Sequence, residues 1–291
     1  RRKSNYSTGN GGGAMKIHQI KITFHVTPQI KRYVYVYLLE GKHCYLIDSG
    51  VYGSERLIIN YMEKIGRTAS EIKAILLTHA HPDHIGTAAW FKENVNARIY
   101  AAAGERAWIE DIDLQYKERP IPNFYSLAGK SVAVDVIVQN GQKIELEEGL
   151  ILQALSTPGH SIDEMSYVGD GAAFIGDSVP VRGDIPIYID KHAMLKSLDI
   201  LDALEGISYY YPAWDVIYSA ADMKQKTSEA RAIIKSIDEA VCAIREKEPD
   251  IKQQGLVNAV CQYLQKPELL QNPLFVRTIQ SHVTSGSKPY K

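Results

Sequence analysis

The chain has 291 residues, 45% of them hydrophobic and 23% charged, with a formal net charge of −1. That length suits one large domain or one domain with a modest appendage, and near-neutrality advertises no polyanionic partner. No apolar run approaches the ~20 residues that cross a bilayer, and three scattered cysteines, Cys44, Cys242 and Cys261, exclude a secreted disulfide framework. The expectation is a cytoplasmic protein with neither membrane nor nucleic acid as partner.

Residues 1–14 are rich in Gly, Ser and Asn and lack the apolar core of a signal peptide; they read as a disordered leader or cloning scar before a native start at Met15. Lys16 to His25, Arg32 to Glu40 and Cys44 to Ile47 read as strands. Glu55 to Ile65 has helical spacing, and Ile72 to Leu77 is a short apolar run expected as a buried strand. Ile85 to Val95 has helical character, Ala97 to Ala101 reads as a strand and Gly104 to Ile112 as a helix. Residues 117–130, with Pro120, Pro122 and Gly129, read as a loop with Phe124 and Tyr125 exposed or lining something. Strands follow at Val132 to Val138, Lys143 to Leu146, Ile151 to Leu155, Ser166 to Val168 and Ala172 to Ile175, then a helix at Ala193 to Leu204. From Met223 the pattern is helical, with Ala230, Ile233, Ile234, Ile237, Val241 and Ile244 on one side, then shorter helices at Leu256 to Leu264 and Leu274 to His282. The division expected is a domain over 15–222 and a helical appendage over 223–291.

One stretch dominates: Thr78-His79-Ala80-His81-Pro82-Asp83-His84-Ile85-Gly86. Three of the nine histidines and a carboxylate fall within six residues. Imidazole and carboxylate are ligands of borderline-soft ions such as Zn²⁺. The cluster sits between an apolar strand and a helical run, where an affinity tag would not be. Pro82 stiffens the loop, and Gly86 lets the helix start press close to its neighbours.

His-x-His-x-Asp-His after a strand resembles the metallo-β-lactamase superfamily. Ser156-Thr157-Pro158-Gly159-His160-Ser161 looks like its next ligand motif, Phe174-Ile175-Gly176-Asp177-Ser178 like its bridging-aspartate motif, and Tyr45-Leu46-Ile47-Asp48-Ser49-Gly50 like its early Asp-x-Gly signature. The four motifs stand in the family's order over about residues 16 to 220. The resemblance implies an αββα metallo-β-lactamase-type sandwich, here with the C-terminal helical appendage. It implies that His79, His81 and His160 bind one metal, that Asp83 and His84 bind a second, and that Asp177 bridges them. Asp83 would also act catalytically, and Asp48 would orient a ligand loop from behind. The cofactor expected is one or two Zn²⁺, with Fe or Mn as alternatives. Such a metal lowers the pKa of its water toward about 7, supplying hydroxide for attack on a small-molecule ester, thioester, lactone or amide. Glyoxalase II and lactonase-type members carry this motif as much as true β-lactamases do.

One departure stands out. The family's last histidine comes from a Pro-Gly-His-Gly motif, and the matching stretch is Tyr211-Pro212-Ala213-Trp214-Asp215. Indole nitrogen is only a donor, so the second metal loses a ligand. Asp215 is the first substitute and His282 a remote one. His282 otherwise reads as a helix-surface residue. Tyr188 and Trp214 are expected to wall a substrate pocket, helped by residues 250–282. The apolar stripe of the long helix must cover either the sandwich or a second subunit, so a homodimer is the competing expectation. Other readings are a metal-binding scaffold without catalysis, a phosphodiesterase or nuclease of the same fold, and a di-iron redox protein. The last is disfavoured because His81 stands where the flavodiiron-type relatives carry glutamate.

Overall fold

The computed structural model describes residues 6–7 and 15–284. The remainder of the expected leader, and the last residues of the expected appendage, lie outside the described residues. The described residues divide into two compact units: those up to 156 with 163–176 and 206–217 form one, and 157–162, 177–205 and those from 218 onward the other.

The first unit holds the sheets. Strands β1 (Tyr6–Ser7), β2 (Lys16–Thr27), β3 (Ile30–Glu40) and β4 (Cys44–Ile47) pair antiparallel in order. From β4 the sheet turns parallel through β5 (Ile72–Leu76), β6 (Arg98–Ala102) and β7 (Val136–Val138). Around it lie helices α1 (Glu55–Lys64), α2 (Pro82–Ile85), α3 (Ala88–Val95), α4 (Arg106–Glu110), α5 (Ile112–Glu118) and α6 (Phe124–Ala128). A second sheet runs in the order β12 (Tyr209–Pro212), β11 (Ala172–Gly176), β10 (Met165–Gly169), β9 (Leu150–Ser156) and β8 (Lys143–Glu147).

The period of two in β3 explains why two layers meet here. Val34, Val36 and Leu38 join the core shared with Ile58, Met62, Phe91 and Leu127 of the helices. Tyr37 and Leu39 join the core shared with Leu152, Tyr167, Phe174 and Tyr211 of the second sheet. Both faces of the strand are buried from Val36 to Leu39, where it carries no charge, and its charged residues stand at the ends.

Local expectations needed correction at a few places. The run expected as one helix breaks into α2 and α3 around Gly86 and Thr87. The expected loop over 117–130 contains the end of α5 and all of α6, and Phe124 is buried there while Tyr125 is exposed. The prolines end the helices but do not prevent them. Only Val136–Val138 of the expected 132–138 strand pairs.

The second unit is helical: α7 (Lys191–Asp202), α8 (Ala220–Lys247), α9 (Gln253–Tyr263) and α10 (Phe275–Thr284). A capping box between Ser219 and Asp222 starts α8 three residues before the expected point. Its buried stripe includes Ala230, Ile234, Ile237 and Val241. Arg231 ties α8 to α7 through Asp199 and Asp202, at 2.6 and 2.8 Å. No helix among the described residues is long and apolar enough to cross a membrane.

Candidate metal centre

Asp48 follows β4 and His79 follows β5, at the carboxyl ends of neighbouring parallel strands. That edge is where open α/β sheets place their ligands, because loops there leave the sheet side by side. Asp48 takes a left-handed φ of 59°, which aspartate tolerates better than most residues. Its carboxylate accepts the Thr78 N–H at 2.7 Å and the Thr78 hydroxyl at 2.9 Å. Its Oδ2 also lies 2.8 Å from His84 Nδ1. A carboxylate on Nδ1 keeps the proton there and leaves the Nε2 lone pair for a metal. The expected role of Asp48 behind the ligand loop thus has a geometry.

His79, His81 and His84 are all buried. The ring centroids of His79 and His84 are 4.0 Å apart and those of His79 and His81 4.4 Å. His79 turns Nδ1 to the Thr78 hydroxyl at 3.0 Å and to Glu164 Oε1 at 3.4 Å. Its Nε2 then faces His81 Nδ1 at 2.9 Å. Ligand atoms on a tetrahedral ion with bonds of about 2.0–2.1 Å stand roughly 3.3–3.4 Å apart, so this pair is close to the spacing of two ligands on one ion. The donor set fits a transition metal. Asp83, in the single turn of α2, is partly exposed, with Oδ2 3.7 Å from His84 Nε2. Pro82 occupies the first turn of α2, where no N–H is missed.

Gly86 is required by close approach. A Cβ there would stand 2.1 Å from the Tyr52 nitrogen and 2.5 Å from the Leu127 oxygen. The Gly86 N–H instead reaches the Gly50 carbonyl at 2.8 Å, and Ser49 N–H reaches the His84 carbonyl at 2.7 Å. The Asp48-Ser49-Gly50 turn and the histidine loop are therefore bonded directly to each other.

Two residues that sequence reasoning missed hold the link between His79 and His81. Glu105, 1% exposed, accepts the Ala80 N–H at 3.0 Å, and through its other oxygen the Asp163 N–H at 2.9 Å. Gln115, fully buried, donates to the Ala80 carbonyl at 2.6 Å. Both polar groups of the peptide link are taken by side chains. Glu164, behind His79, was also missed.

In the second unit, Gly159 has φ 132° and a Cβ there would meet backbone atoms of Met194 at 2.5 Å, so the turn before His160 needs glycine. Ser197 donates to the Pro158 carbonyl at 2.6 Å and Ser178 to the Thr157 hydroxyl at 3.0 Å. His160 Nδ1 donates to the Ile187 carbonyl at 2.7 Å. A carbonyl only accepts, so the proton sits on Nδ1. Nε2 lies 3.2 Å from Asp177 Oδ2, so two atoms able to bind a metal stand side by side.

The residues named around the missing histidine make contacts of their own. Trp214 packs on the core between the first sheet and its helices, and its carbonyl accepts from the Tyr33 hydroxyl at 2.7 Å. Asp215 is half-buried; its Oδ1 accepts the Val216 N–H at 2.8 Å, and it lies near enough to Tyr35 to help burial push that phenol up. Tyr188, expected to wall a pocket, has no exposed surface. His282, expected on a helix surface, is 4% exposed, with Nε2 2.7 Å from the Tyr188 hydroxyl and Nδ1 2.8 Å from Asp238. It lies in the interior because Phe275, Thr278, Ile279 and His282 form one helical face, all of them buried.

The description "Metallo-beta-lactamase superfamily" matches residues 30–213. The chain is 29% identical over 211 residues to a hydroxyacylglutathione hydrolase from Thiobacillus denitrificans, covering 72% of this chain and 67% of that one. A hydroxyacylglutathione hydrolase from Bradyrhizobium sp. is 32% identical over 48% of this chain and 49% of its own length, so the chain spans about half of that relative. Among solved structures, a metallo-β-lactamase family protein from Thermus thermophilus is similar at TM-score 0.71 and 19% identity, covering 91% of each chain. An archaeal metallo-β-lactamase superfamily protein from Sulfolobus tokodaii is similar at TM-score 0.61 and 22% identity, covering 91% of this chain and 98% of that one. These likenesses show the αββα sandwich fold with C-terminal helices that the motifs implied. With the matched stretch spanning more than half of its length and holding all four motifs, the chain belongs to the metallo-β-lactamase superfamily, a superfamily of metallo-hydrolases.

Proposed function

We propose that the chain hydrolyses a small-molecule carbonyl ester, with a thioester the first choice, on a metal centre. His79, His81 and His160 hold one ion, and Asp83, His84 and Asp177 hold a second, with Zn²⁺ the first choice and Fe or Mn the alternatives. The observation that carries this reading is the arrangement of ring nitrogens. Each of His79, His84 and His160 has its Nδ1 occupied by a protein group, which leaves Nε2 for a metal. The thioester is suggested by the hydroxyacylglutathione hydrolases among the relatives.

A bound transition metal supplies Lewis acidity and makes a water more acidic. The chain's own residues do the rest. Asp48, Thr78 and Glu164 hold the ligand rings, so the donors need not reorganise during reaction. Asp83, the part-exposed carboxylate of the loop, turns Oδ2 toward His84 Nε2 and accepts a proton from the attacking water at its other oxygen, Oδ1. The water oxygen bonds to the carbonyl carbon, the carbon–sulfur bond breaks, and the proton passes to the leaving thiolate. The products are a carboxylic acid and a thiol.

The test is metal content and turnover of the purified full chain. The expected result is at least one transition metal per chain by plasma emission, and a higher kcat/KM on thioesters than on lactones, β-lactams or phosphodiesters. His81→Ala should remove metal and activity together. Unchanged metal in that variant, or a preference for phosphodiesters, would overturn the reading.

A further inference from the structure

The last helix carries polar side chains that the metal centre does not use, although they reach the segment behind His160. Thr278 of α10 makes two hydrogen bonds to the backbone there. Its hydroxyl donates to the Pro186 carbonyl at 2.9 Å and accepts the Tyr188 N–H at 3.2 Å. Pro186 and Tyr188 flank Ile187, whose carbonyl receives the Nδ1–H of His160 at 2.7 Å. One turn further along α10, His282 Nε2 takes the Tyr188 hydroxyl at 2.7 Å. Behind His282 stands Asp238 of α8, which also pairs with Lys191 at the start of α7.

The polar side chains of this network are buried. Thr278 and Tyr188 are 0% exposed, and His282 and Lys191 4%. Buried polar networks are costly unless fully satisfied, and once satisfied they fix one arrangement of the groups they join. Thr278 pins the peptide groups on both sides of Ile187, so the Ile187 carbonyl has little freedom to turn. That carbonyl decides which nitrogen of His160 carries the proton.

We propose that Thr278 and His282 are positioning residues for His160, holding the 186–188 segment so that its Ile187 carbonyl keeps the His160 proton on Nδ1 and the lone pair on Nε2. The proposal rests on His160 being a metal ligand. It makes the last helix part of the metal site's support, and not only a cover for apolar surface. The groups that touch His160 directly are unchanged by substitutions at 278 and 282, so an effect there must travel through the 186–188 segment.

The experiment uses the full chain and two readouts. The first is the tautomer of the His160 imidazole in metal-free protein, by ¹⁵N–¹H correlation, assigned with His160→Gln. The second is Zn²⁺ affinity by competition with a fluorescent chelator. Thr278→Val, which removes the hydroxyl at nearly constant volume, should give a mixture of His160 tautomers and lower Zn²⁺ affinity by about 10–100-fold, the usual effect of losing support behind a ligand. Thr278→Ser should restore both. Tyr188→Phe, which removes the bond to His282, should shift both in the same direction and by less. Ile279→Val on the same buried face should lower Tm without moving either readout. A single Nδ1–H tautomer and unchanged affinity in Thr278→Val, or equal effects in Ile279→Val, would overturn the proposal. If the unsubstituted chain binds no Zn²⁺, the metal reading of His160 fails, and the tautomer measurement still decides the positioning.

Discussion

Asp48→Asn separates the fold from the metal chemistry. Position 48 has φ 59°, which asparagine accepts at least as readily as aspartate, so the turn is kept. The asparagine Oδ1 can still accept from Thr78, whose N–H stands 2.7 Å away in the native chain. The difference falls on His84. Its Nδ1 lies 2.8 Å from Asp48 Oδ2, and in the variant an amide N–H₂ takes that place. A donor now faces a donor. His84 can answer only by moving its proton to Nε2, which removes the lone pair that would bind a metal. The folded chain loses one buried hydrogen bond to a charged group, about 1.5–3 kcal/mol. Metal affinity at the His84 site should fall by about 10–100-fold, or roughly 1.4–2.7 kcal/mol. Denaturation of the metal-free chain measures the first quantity and a chelator titration the second. Wild-type affinity in a folded Asp48→Asn chain would show that Asp48 does not set the His84 tautomer.

Three further outcomes are expected. Gln115→Leu removes the donor to the Ala80 carbonyl at nearly constant volume and should cost about 1–3 kcal/mol through the unsatisfied group, with weaker metal binding; unfolding curves and metal titration that match wild type would reject the clamp on Ala80. Trp214→His should tighten a second, weaker metal equivalent in chelator titration, and equal affinity in both proteins would mean that another group already completes that site. Stability should fall with acid through His282, because burial pushes its pKa down to about 4 even though Asp238 pulls the other way. The unfolded chain, with histidine near 6.5, binds the proton first, so the loss runs as pH drops from about 6.5 to about 4 and is on the order of 3 kcal/mol; His282→Gln should flatten that part of the pH–stability curve, and an unchanged slope would refute the assignment.

The parts legible in the sequence were those whose chemistry is local. His79, His81, Asp83 and His84 stand together in the chain, four potential ligands within six positions just after the apolar run Ile72 to Leu77. The alternation in β3 and the stripe of α8 were equally local, since side-chain period alone decides which face is buried. What escaped were single polar residues far along the chain from their partners. Glu105, Gln115 and Glu164 each sit among residues whose pattern reads as a solvated helix face or loop. Nothing near them in sequence says that Ala80 or His79 is the partner. His282 escaped for a different reason. Its neighbours Gln280, Ser281 and Thr284 suggest a surface, yet the spacing Phe275, Thr278, Ile279, His282 is that of a buried face. The period was present, and polarity masked it.

The same spacing explains why metal motifs understate the size of a metal site. A ligand histidine has two nitrogens, and the motif records only that one of them is available. Which one faces the ion depends on what the other nitrogen meets. Among the proposed ligands, the other nitrogen of His84 meets Asp48, which follows β4; that of His79 meets Thr78 and Glu164; that of His160 meets the Ile187 carbonyl. Each acceptor is in turn fixed by another group: Asp48 by the backbone and hydroxyl of Thr78, Ile187 by the hydrogen bonds of Thr278 on either side of it. A backbone carbonyl can serve from any residue type, so no motif can contain Ile187. Its supporting hydroxyl must be a serine or threonine on a buried helix face, and that requirement is visible only once α10 has a place against the 186–188 segment. The acidic acceptor of His84 lies in a recognisable signature, whereas the carbonyl acceptor of His160 leaves no trace in composition. Substitution of Thr278 in the last helix should therefore change metal binding while leaving every motif residue intact.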